Sequence, residues 1–517
     1  MTPNPNNIRA KFQLSGGKIS IGEELVFLFL FFCFQSSVFG QLPTSFEAGR
    51  RSQWNENIVG AGSNVRWAVR IGSPTYSTPV IAKGKVLIGT LNDAQWDERR
   101  SGSRSVLLCF DEKTGEFLWQ LALPKDYGIP YVDSHCVGIS STPTVVGDRV
   151  FLTTGRGEVL CLDLNGLANG NTGPYTDEAR LYTHRRDQKT LPLAKTDADI
   201  IWRYDMLGEL KARPHDTNNC DVIYYDGLLI VNTGNAPDHT HVHVVNPEAP
   251  SLIIMDAERG IPLARDNFDI GSDISHGQWC SPAFGKVNGK NMIFYGGGNG
   301  VLYAVEATSR ESLWKQYEAN GKKLVRLKTA WKFHGDPRAH TGEKVPPFVM
   351  GMGSPSYTCL PPPALDDMGR IFMLFGHDAW NGARPFRSWL ACIDAKTGKL
   401  IWSTGNIDGG AITPVAMENG RVYIGDRKGN FYCFDGATGK EHWKLPLRGD
   451  IWARPLIAEQ KIYIGTDRMK FYVLKAGLEP KIISEITMPD RIYAPAAASG
   501  NSLYIAGDGF LYAIEEK

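Results

Sequence analysis

Short apolar segments separated by turn residues run through most of this chain, and they predict β-strands rather than helices. The stretch RVYIGDRKGNFYCFDGATGKEHWKL, which begins at Arg421, is representative, because its apolar and polar residues alternate in short runs joined by Gly-containing turns. Alternation with a period of two is the pattern of a strand that buries one face. No segment shows the 3.6-residue period of a long amphipathic helix, so the pattern predicts an all-β protein.

One nine-residue phrase recurs and predicts a hairpin. It reads DEKTGEFLW at residues 111–119, DAKTGKLIW at 394–402 and DGATGKEHW at 435–443. Asp and Thr-Gly form a tight turn because glycine adopts backbone angles that other residues avoid, and the Trp then lies on the next strand. The phrase therefore indicates structure rather than chemistry.

A second recurring element precedes the hairpins: a Pro early in a short strand, a turn, and a strand rich in Val, Ile and Tyr. Together the two elements make four antiparallel strands in about 40 residues, which is the signature of a β-propeller blade. Such a sheet cannot cover both of its faces alone and must stack on neighbours. Eight blades are predicted, with starts near residues 77, 140, 220, 280, 353, 412, 453 and 493.

The two ends of the chain predict how the ring closes. The last unit stops after three strands, whereas RWAVRIG at residues 66–72, with Trp67 in the Trp position, matches the missing fourth strand. Closure by this N-terminal strand would leave no free sheet edge. The predicted organisation is a signal peptide at 1–40, a linker at 41–63 and an eight-bladed propeller at 64–517.

Composition and charge narrow the class of function. The 517 residues are 42% apolar with a net charge of +1, which is typical of a folded globular protein. The neutral balance argues against nucleic acid as a partner. Of the cysteines, Cys109, Cys161, Cys392 and Cys433 take the same place in a recurring strand, where a small buried side chain is expected.

The N-terminal residues have the features of an export signal. A leader with three basic residues precedes the apolar run LVFLFLFFCF at 25–34, and small residues follow up to Gly40. The run is too short to span a bilayer, and no later segment is apolar for long enough. An uncleaved anchor or a misplaced start codon is the alternative, because the leader is long and Glu23-Glu24 precede the run. We expect a periplasmic or extracellular protein.

The hairpin D-x-x-T-G-x-x-x-W, preceded by YCFD or LACID, resembles the repeat of the pyrroloquinoline quinone (PQQ) propellers, which quinoprotein alcohol dehydrogenases share with BamB. WD40 repeats place Asp directly after the Trp, whereas Gln, Ser and Lys follow here. In detail the chain is most similar to exported PQQ-like propellers of planctomycete-type bacteria, over DLNGLANGNTGPYTDEA (163–179), ADIIWRYDMLGEL (198–210), PEAPSLI (247–253) and HGQWCSPA (276–283). The resemblance implies structural Trp residues that dock between blades: Trp67, Trp119, Trp202, Trp314, Trp402 and Trp443.

The family resemblance does not by itself imply the quinone cofactor. In the dehydrogenases, PQQ lies between a Trp and a ring made by two adjacent, disulfide-linked cysteines, above a calcium ion. This sequence contains no Cys-Cys pair and no compact cluster of cations and oxygen ligands that would bind PQQ and calcium. We expect no cofactor; PQQ with calcium, or a divalent metal, is the alternative.

The first candidate site comes from three successive connections between blades. They read DSHCVGIS, RPHDTNNC and ISHGQWC, each with one His at a similar offset from the next strand. Imidazoles near a carboxylate could bind a metal or an anion, or act as a general base; the alternative is His residues that only satisfy polar loop ends. This candidate comprises His135, His215, His276, Asp216, Cys136, Cys220 and Cys280.

The second candidate lies in long loops between the second and third strands of blades three and five. DHTHVHVV places His at every second position, and in an extended strand all three would share one face and could ligate a transition metal. The alternative is an exposed loop strand with its polar residues outward. This candidate comprises His239, His241, His243, His377 and Asp378.

These observations favour a monomeric, non-catalytic binding or scaffold module for a protein or peptide partner. One alternative is a quinoprotein-type oxidoreductase or metal-dependent enzyme that uses the His cluster. Another is a polysaccharide-binding propeller, because aromatic faces suit sugar rings. The aromatic residues considered for that role are Trp96, Trp279, Trp380 and Trp452.

Overall fold

The computed structural model describes residues 64–515 with gaps at 126–127, 130–131, 188, 352–353, 378–387, 408 and 410–411. The predicted signal peptide and linker lie outside the described residues. Within the described residues, the strands form eight antiparallel sheets arranged as an eight-bladed β-propeller, and the predicted fold class is confirmed.

The first strand, β1 (Val65–Arg70), completes the last blade, and the following strands build the blades in chain order. Blade one holds β2 (Val80–Ala82), β3 (Lys85–Leu91), β4 (Arg104–Asp111) and β5 (Phe117–Pro124). Blade two holds β6 (Thr144–Val146), β7 (Arg149–Thr154), β8 (Glu158–Asp163) and β9 (Ile200–Asp205). Blade three holds β10 (Ile223–Tyr225), β11 (Leu228–Asn232), β12 (Leu252–Asp256) and β13 (Pro262–Arg265). Blade four holds β14 (Ala283–Val287), β15 (Lys290–Gly296), β16 (Val301–Glu306) and, after β17 (Val325–Arg326), β18 (Thr329–His334).

The second half of the ring repeats this order. Blade five holds β19 (Tyr357–Thr358), β20 (Ala364–Leu365), β21 (Arg370–His377), β22 (Ser388–Asp394) and β23 (Leu400–Ile407). Blade six holds β24 (Ala416–Glu418), β25 (Arg421–Gly425), β26 (Asn430–Asp435) and β27 (Glu441–Pro446). Blade seven holds β28 (Leu456–Ala458), β29 (Lys461–Gly465), β30 (Lys470–Lys475) and β31 (Lys481–Thr487). Blade eight holds β32 (Ala497–Ser499), β33 (Ser502–Ala506), β34 (Phe510–Glu515) and β1.

Two blades depart from the four-strand pattern. In blade five the first strand is split into β19 and β20, which both pair with β21, because the three prolines at 361–363 cannot donate ladder hydrogen bonds. In blade three the short strand β17 adds to β13 in parallel, so this sheet has a fifth strand at its outer edge.

The described helices are short. They are α1 (Glu178–Leu181), α2 (Met206–Glu209) and α3 (Arg310–Ala319), with 3₁₀ turns at Glu98–Arg100, Gly166–Asn169 and Pro337–His340. None of them is long and apolar enough to cross a membrane. Helix α3 lies between β16 and β18 and contacts β13 of the preceding blade.

Helix α3 corrects the prediction for Trp314. This Trp lies on the helix rather than on a fourth strand, and its indole N–H donates to the Asp256 carboxylate at 2.6 Å. The Ser309 hydroxyl caps the helix by accepting from the Ser312 N–H, and this cap starts a helix where a hairpin was expected. Trp331 on β18 takes the place assigned to Trp314.

The docking Trp residues bind the next blade through one repeated contact. The indole N–H of Trp443 donates to the Gly477 carbonyl at 3.0 Å, and that of Trp402 donates to the Gly436 carbonyl at 3.1 Å. Each acceptor lies in the connection that follows the third strand of the neighbouring blade. The same bond runs from Trp67 to Glu112, from Trp119 to Leu164, from Trp202 to Ala257 and from Trp331 to Ala395.

The recurring Thr-Gly turn is shaped to receive this ring. Gly439 has a φ of +73°, and a Cβ at this position would lie 2.5 Å from Trp402 Cε3. Only a glycine both adopts this backbone conformation without strain and lets the indole approach so closely. On the Trp side, the directly paired residue is small: Cys392 faces Trp402, and Cys433 faces Trp443. Cys109 and Cys161 face Trp119 and Trp202 in the same way, and all four thiols are buried and free, as predicted.

Ring closure follows the predicted scheme. Strand β1 pairs antiparallel with β34, with Trp67 opposite Ala513, and so joins the two ends of the described chain. Trp67 is 2% exposed and docks on blade one like the other docking Trp residues. Strand β34, the third strand of blade eight, therefore has no unpaired edge.

We expect Trp443→Ala to lower the free energy of unfolding by about 3–5 kcal/mol, because it deletes a large aromatic side chain that is 6% exposed. Ile401→Ala, at a position 46% exposed on an outer strand, is the control and should change stability by less than about 0.5 kcal/mol. Denaturant unfolding measures both. An unchanged midpoint for Trp443→Ala would contradict the docking role.

The closing strand makes a second test available. A chain that begins at Tyr76 lacks β1 and exposes the edge of β34, so it should melt at a lower temperature and aggregate, whereas a chain that begins at Gln53 should not. Thermal unfolding and size-exclusion chromatography compare the two chains. Equal behaviour would mean that β1 contributes nothing to the ring.

Candidate functional site

Three histidines from three different loops meet on one face of the propeller. His215 lies in the connection from β9 to β10, His241 in the loop from β11 to β12, and His276 in the connection from β13 to β14. In an antiparallel blade, the loop after the second strand and the connection after the fourth strand emerge on the same face. We call these three residues the His cluster.

The imidazoles of the His cluster are close enough to share one ligand. A ring nitrogen of each lies within 4.8 Å of a ring nitrogen of the others. The ring centroids are 4.5 Å apart for His215 and His241, 4.8 Å for His215 and His276, and 4.9 Å for His241 and His276. His215 and His276 are buried, whereas His241 is half-buried and gives the cluster contact with solvent.

The protonation of His215 is fixed by its surroundings. Its Nδ1 lies 2.8 Å from the Pro237 carbonyl oxygen, which can only accept, so Nδ1 carries the proton. The pKa of His215 is lowered to about 4, chiefly by burial and also by the neighbouring His276, His241 and Arg213, against the opposing effect of the Pro237 bond. At neutral pH the ring is therefore uncharged, with its lone pair on Nε2.

Asp216 provides a carboxylate beside the His cluster. Its Oδ2 lies 4.0 Å from His215 Nε2, and burial raises its pKa while His276 and His241 lower it. The residue has a φ of +60°, and its carbonyl accepts the Ser134 N–H at 2.6 Å from the neighbouring connection. The backbone at Asp216 is thus tied to the neighbouring connection.

Trp279 packs on the His cluster from the side. Its ring meets the His276 ring edge to face at 4.8 Å, and its indole N–H donates to the His215 carbonyl at 3.3 Å. A Cβ at Gly277 would overlap the indole, so the glycine permits the turn that folds Trp279 back over His276.

Buried amides hold the three loops together. Gln278 donates to the Asn235 carbonyl at 2.6 Å and to Ser251 Oγ at 3.0 Å, and it accepts from the Tyr295 hydroxyl at 2.7 Å. Asn235 accepts the Arg213 N–H at 3.1 Å. These bonds join the loops that carry all three histidines, so the cluster sits on a rigid support.

The structure separates His135 from His215 and His276, the other two histidines of the first candidate. His135 is exposed, and its Nδ1 lies 3.4 Å from Ser103 Oγ. The cause lies two residues earlier, where Asp133 has a φ of +53° and pairs with Lys125 at 2.6 Å in a buried ion pair. This anchor turns the loop outward, so the expected arc of His135, His215 and His276 is not formed.

The cysteines of the first candidate do not join the His cluster either. Cys220 Sγ contacts the Gln278 carbonyl at 3.4 Å, and Cys280 Sγ contacts the Pro361 carbonyl at 3.3 Å. Burial raises the pKa of Cys280 to about 12 and that of Cys220 well above its usual value, so both remain thiols. Cys136 is exposed.

The second candidate contributes one residue, because DHTHVHVV is not extended. Asp238 Oδ1 accepts from the Thr240 N–H at 2.9 Å, and the Asp238 N–H donates to the His243 carbonyl at 2.8 Å, which closes a tight turn. His241 has a φ of +62° within this turn and turns away from its neighbours. His239 and His243 are exposed. The prediction of one shared face is wrong.

The remaining candidates lie elsewhere. His377 ends β21 and its ring packs 4.7 Å from that of Tyr357, while Asp378 and Trp380 lie outside the described residues. Trp96 stacks on Phe117 with ring centroids 5.3 Å apart. Trp452 lies against Tyr76 and Tyr493. All three described Trp residues of the proposed sugar platform are half-buried.

Comparison with known proteins identifies the family. The family model described as outer membrane protein assembly factor BamB matches residues 103–316 and 387–477, more than half of the chain. The chain belongs to this family. No curated protein matches the chain with significance. The BamB-type resemblance expected from the repeat is thereby confirmed.

Two solved structures are similar to this chain at low sequence identity. BamB from Moraxella catarrhalis is 12% identical, with 87% of this chain and 98% of that chain covered and a TM-score of 0.49. The computationally designed protein Ika8 is 11% identical, with 86% of this chain and 98% of that chain covered and a TM-score of 0.48.

Proposed function

We propose that the protein is an exported, non-catalytic binding module whose looped face holds a protein or peptide partner. The observation that carries the proposal is a group of exposed valines beside the His cluster. Val242 is 61% exposed, Val245 52% and Val349 45%. Exposed apolar side chains gathered on one surface mark sites of protein interaction. We call these three residues the valine patch.

The two loops that carry the valine patch lie against each other and have a packed support. A Cβ at Gly351, two residues after Val349, would lie 3.5 Å from Val242 Cγ1, so the two loops touch. Below the patch, Val244 packs with Ala236, Ile274 and Met350 in a small core of its own. Since these loops are already packed, binding of a partner would cost little conformational entropy.

A cleft beside the patch offers a place for one side chain. It has a volume of about 200 Å³. Its walls include Pro346, Phe348 and Tyr357, with Asp336 and Arg338 at the polar end. A cleft with apolar walls and a polar end suits an aromatic or branched side chain of an extended peptide. This favours a peptide segment as the occupant.

The family supports a protein as partner, because its description is that of an outer membrane protein assembly factor. Export is supported by the apolar run at 25–34 followed by small residues. A protein that binds other exported chains would need both an export signal and a surface for protein partners. The proposal does not assign a particular partner.

The partner surface can be tested with a displayed peptide library selected on the full chain. We expect selected peptides to be rich in aromatic and branched residues, and Val242→Asp with Val349→Asp to weaken their binding at least about tenfold, because each buries a charge. Met368→Asp, at an exposed apolar position 78% accessible in the β20–β21 turn on the opposite face, is the control and should bind normally. Isothermal titration calorimetry measures the affinities.

Two results would contradict this use of the valine patch. One is a set of peptides that bind wild type and the double variant equally. The other is a dimer of the wild-type chain that Val242→Asp converts to a monomer in sedimentation velocity, since the patch would then serve self-association.

Export can be tested separately. In a bacterial host, the extracytoplasmic fraction should hold a chain whose first residue is Gln41, and Leu28→Arg should retain the protein in the cytoplasm because it interrupts the apolar run. N-terminal sequencing and fractionation give the answer. A full-length chain in the cytoplasm for both proteins would contradict export.

A further inference from the structure

We infer that His215, His241 and His276 form a binding site for one divalent transition metal ion of the zinc type. The site combines two histidines of the first candidate, His215 and His276, with one of the second, His241, and neither sequence pattern alone predicts this combination. Two of its three imidazoles are buried, and all three lie within 4.8 Å of one another. The inference stands independently of the partner surface.

The distances between the imidazole nitrogens are compatible with a shared metal ion. Zinc binds imidazole nitrogen at about 2.0–2.1 Å, so two such nitrogens in a tetrahedral site lie about 3.3 Å apart. The rings of the His cluster would close by about 1.5 Å at most from the 4.8 Å limit. Small rotations of side chains accomplish this, and His241, which is half-buried on a loop, has room to make them.

The chemistry of the donors selects the class of ion. Imidazole suits zinc, copper, nickel and iron, whereas calcium and magnesium require several oxygen ligands. Here three nitrogens converge and one carboxylate, that of Asp216, stands 4.0 Å from His215 Nε2. An anion would need N–H donors, but the Nδ1–H of His215 is taken by the Pro237 carbonyl, which leaves a lone pair at Nε2. The cluster is therefore suited to a cation.

The surroundings of His215 are those of a metal ligand. Metal-bound histidines commonly donate the other ring N–H to a carbonyl or carboxylate, which fixes the tautomer and the ring orientation. The Pro237 carbonyl takes this role at Nδ1 and leaves Nε2 as the donor to the metal. Trp279 covers His276 on the protein side and limits its rotation.

Three protein ligands leave one position of a tetrahedral ion open. Asp216 is near enough to fill it after a small movement, or to accept a hydrogen bond from a water molecule there. Its side chain is 31% exposed, so solvent reaches the carboxylate side of the cluster. Asp216 is assigned as a supporting residue and the three histidines as the ligands.

The test is titration of the metal-stripped full chain with Zn²⁺ by isothermal titration calorimetry. We expect one ion per chain. Loss of an outer partner of a metal ligand typically weakens affinity 10–100-fold, so loss of a ligand in His241→Ala or His276→Gln should weaken it at least about 100-fold. Asp216→Asn should weaken it by about 10-fold.

His239→Ala and His243→Ala are matched controls, because both positions flank His241 in the same turn and are exposed. They should bind zinc like wild type, and so should His135→Ala. Co²⁺ gives a second readout, since a site with three imidazoles should give visible absorption bands that His241→Ala abolishes. Mg²⁺ and Ca²⁺ should not compete.

Three outcomes would overturn the assignment. They are no zinc binding by wild type, undiminished binding by His241→Ala, and an equal loss in His239→Ala or His243→Ala. If substitution of the buried His276 prevents folding, the half-buried His241 still decides the question, because its variant removes a ligand from a loop and leaves the blades intact.

Discussion

The hydrogen bond from an indole N–H to a carbonyl of the next blade is the contact on which the ring depends. It fixes the spacing of two blades and covers the glycine of the receiving turn, so each blade is defined partly by its neighbour. In the described residues, blades three and seven lack this Trp and carry Ala264 and Ser484 in the paired position. In both cases the following blade has no tight turn between its third and fourth strands that could receive a Trp ring.

The two exceptions have separate causes. After blade three, helix α3 follows the third strand of blade four in place of the hairpin, and it contacts β13 directly. After blade seven, the third and fourth strands of blade eight are β34 and β1, which come from opposite ends of the chain, so no turn joins them. A Trp is therefore present where a receiving turn exists, and it is replaced where topology removes the turn.

This dependence explains which parts of the fold could be predicted from sequence. Blade number, the closing strand and most docking Trp residues follow from local repeats, because strand alternation and the Thr-Gly turn are encoded within a few residues. The sequence pattern misassigns Trp314 because ESLW at 311–314 resembles EFLW at 116–119, the end of the hairpin phrase DEKTGEFLW. The signal against it was present in Ser309, a helix cap, followed by the strong helix formers of RESLWKQYEA.

The candidate site was less predictable because it depends on how loops bend. Similar offsets placed His135, His215 and His276 on one face, but left-handed conformations at Asp133, Asp216 and His241 decide which rings meet. These are not glycines, so residue type gives little warning of a positive φ. The buried Lys125–Asp133 pair, which diverts His135, joins residues that no sequence pattern associates.

The His cluster lies where the regular contact between blades is missing. At the junction of blades three and four, which has no docking Trp, Asn232 donates to the carbonyls of Gln278 and Cys280 at 3.0 Å, and Tyr225 stacks on Phe284. His215 enters blade three and His276 enters blade four, so an ion bound by both joins the two blades. An ion that binds only the folded state stabilises that state by RT ln(1 + c/Kd), where c is the concentration of the free ion. The metal would thus strengthen the junction that lacks an indole, and would fix the loop that carries His241 and Val242 against it.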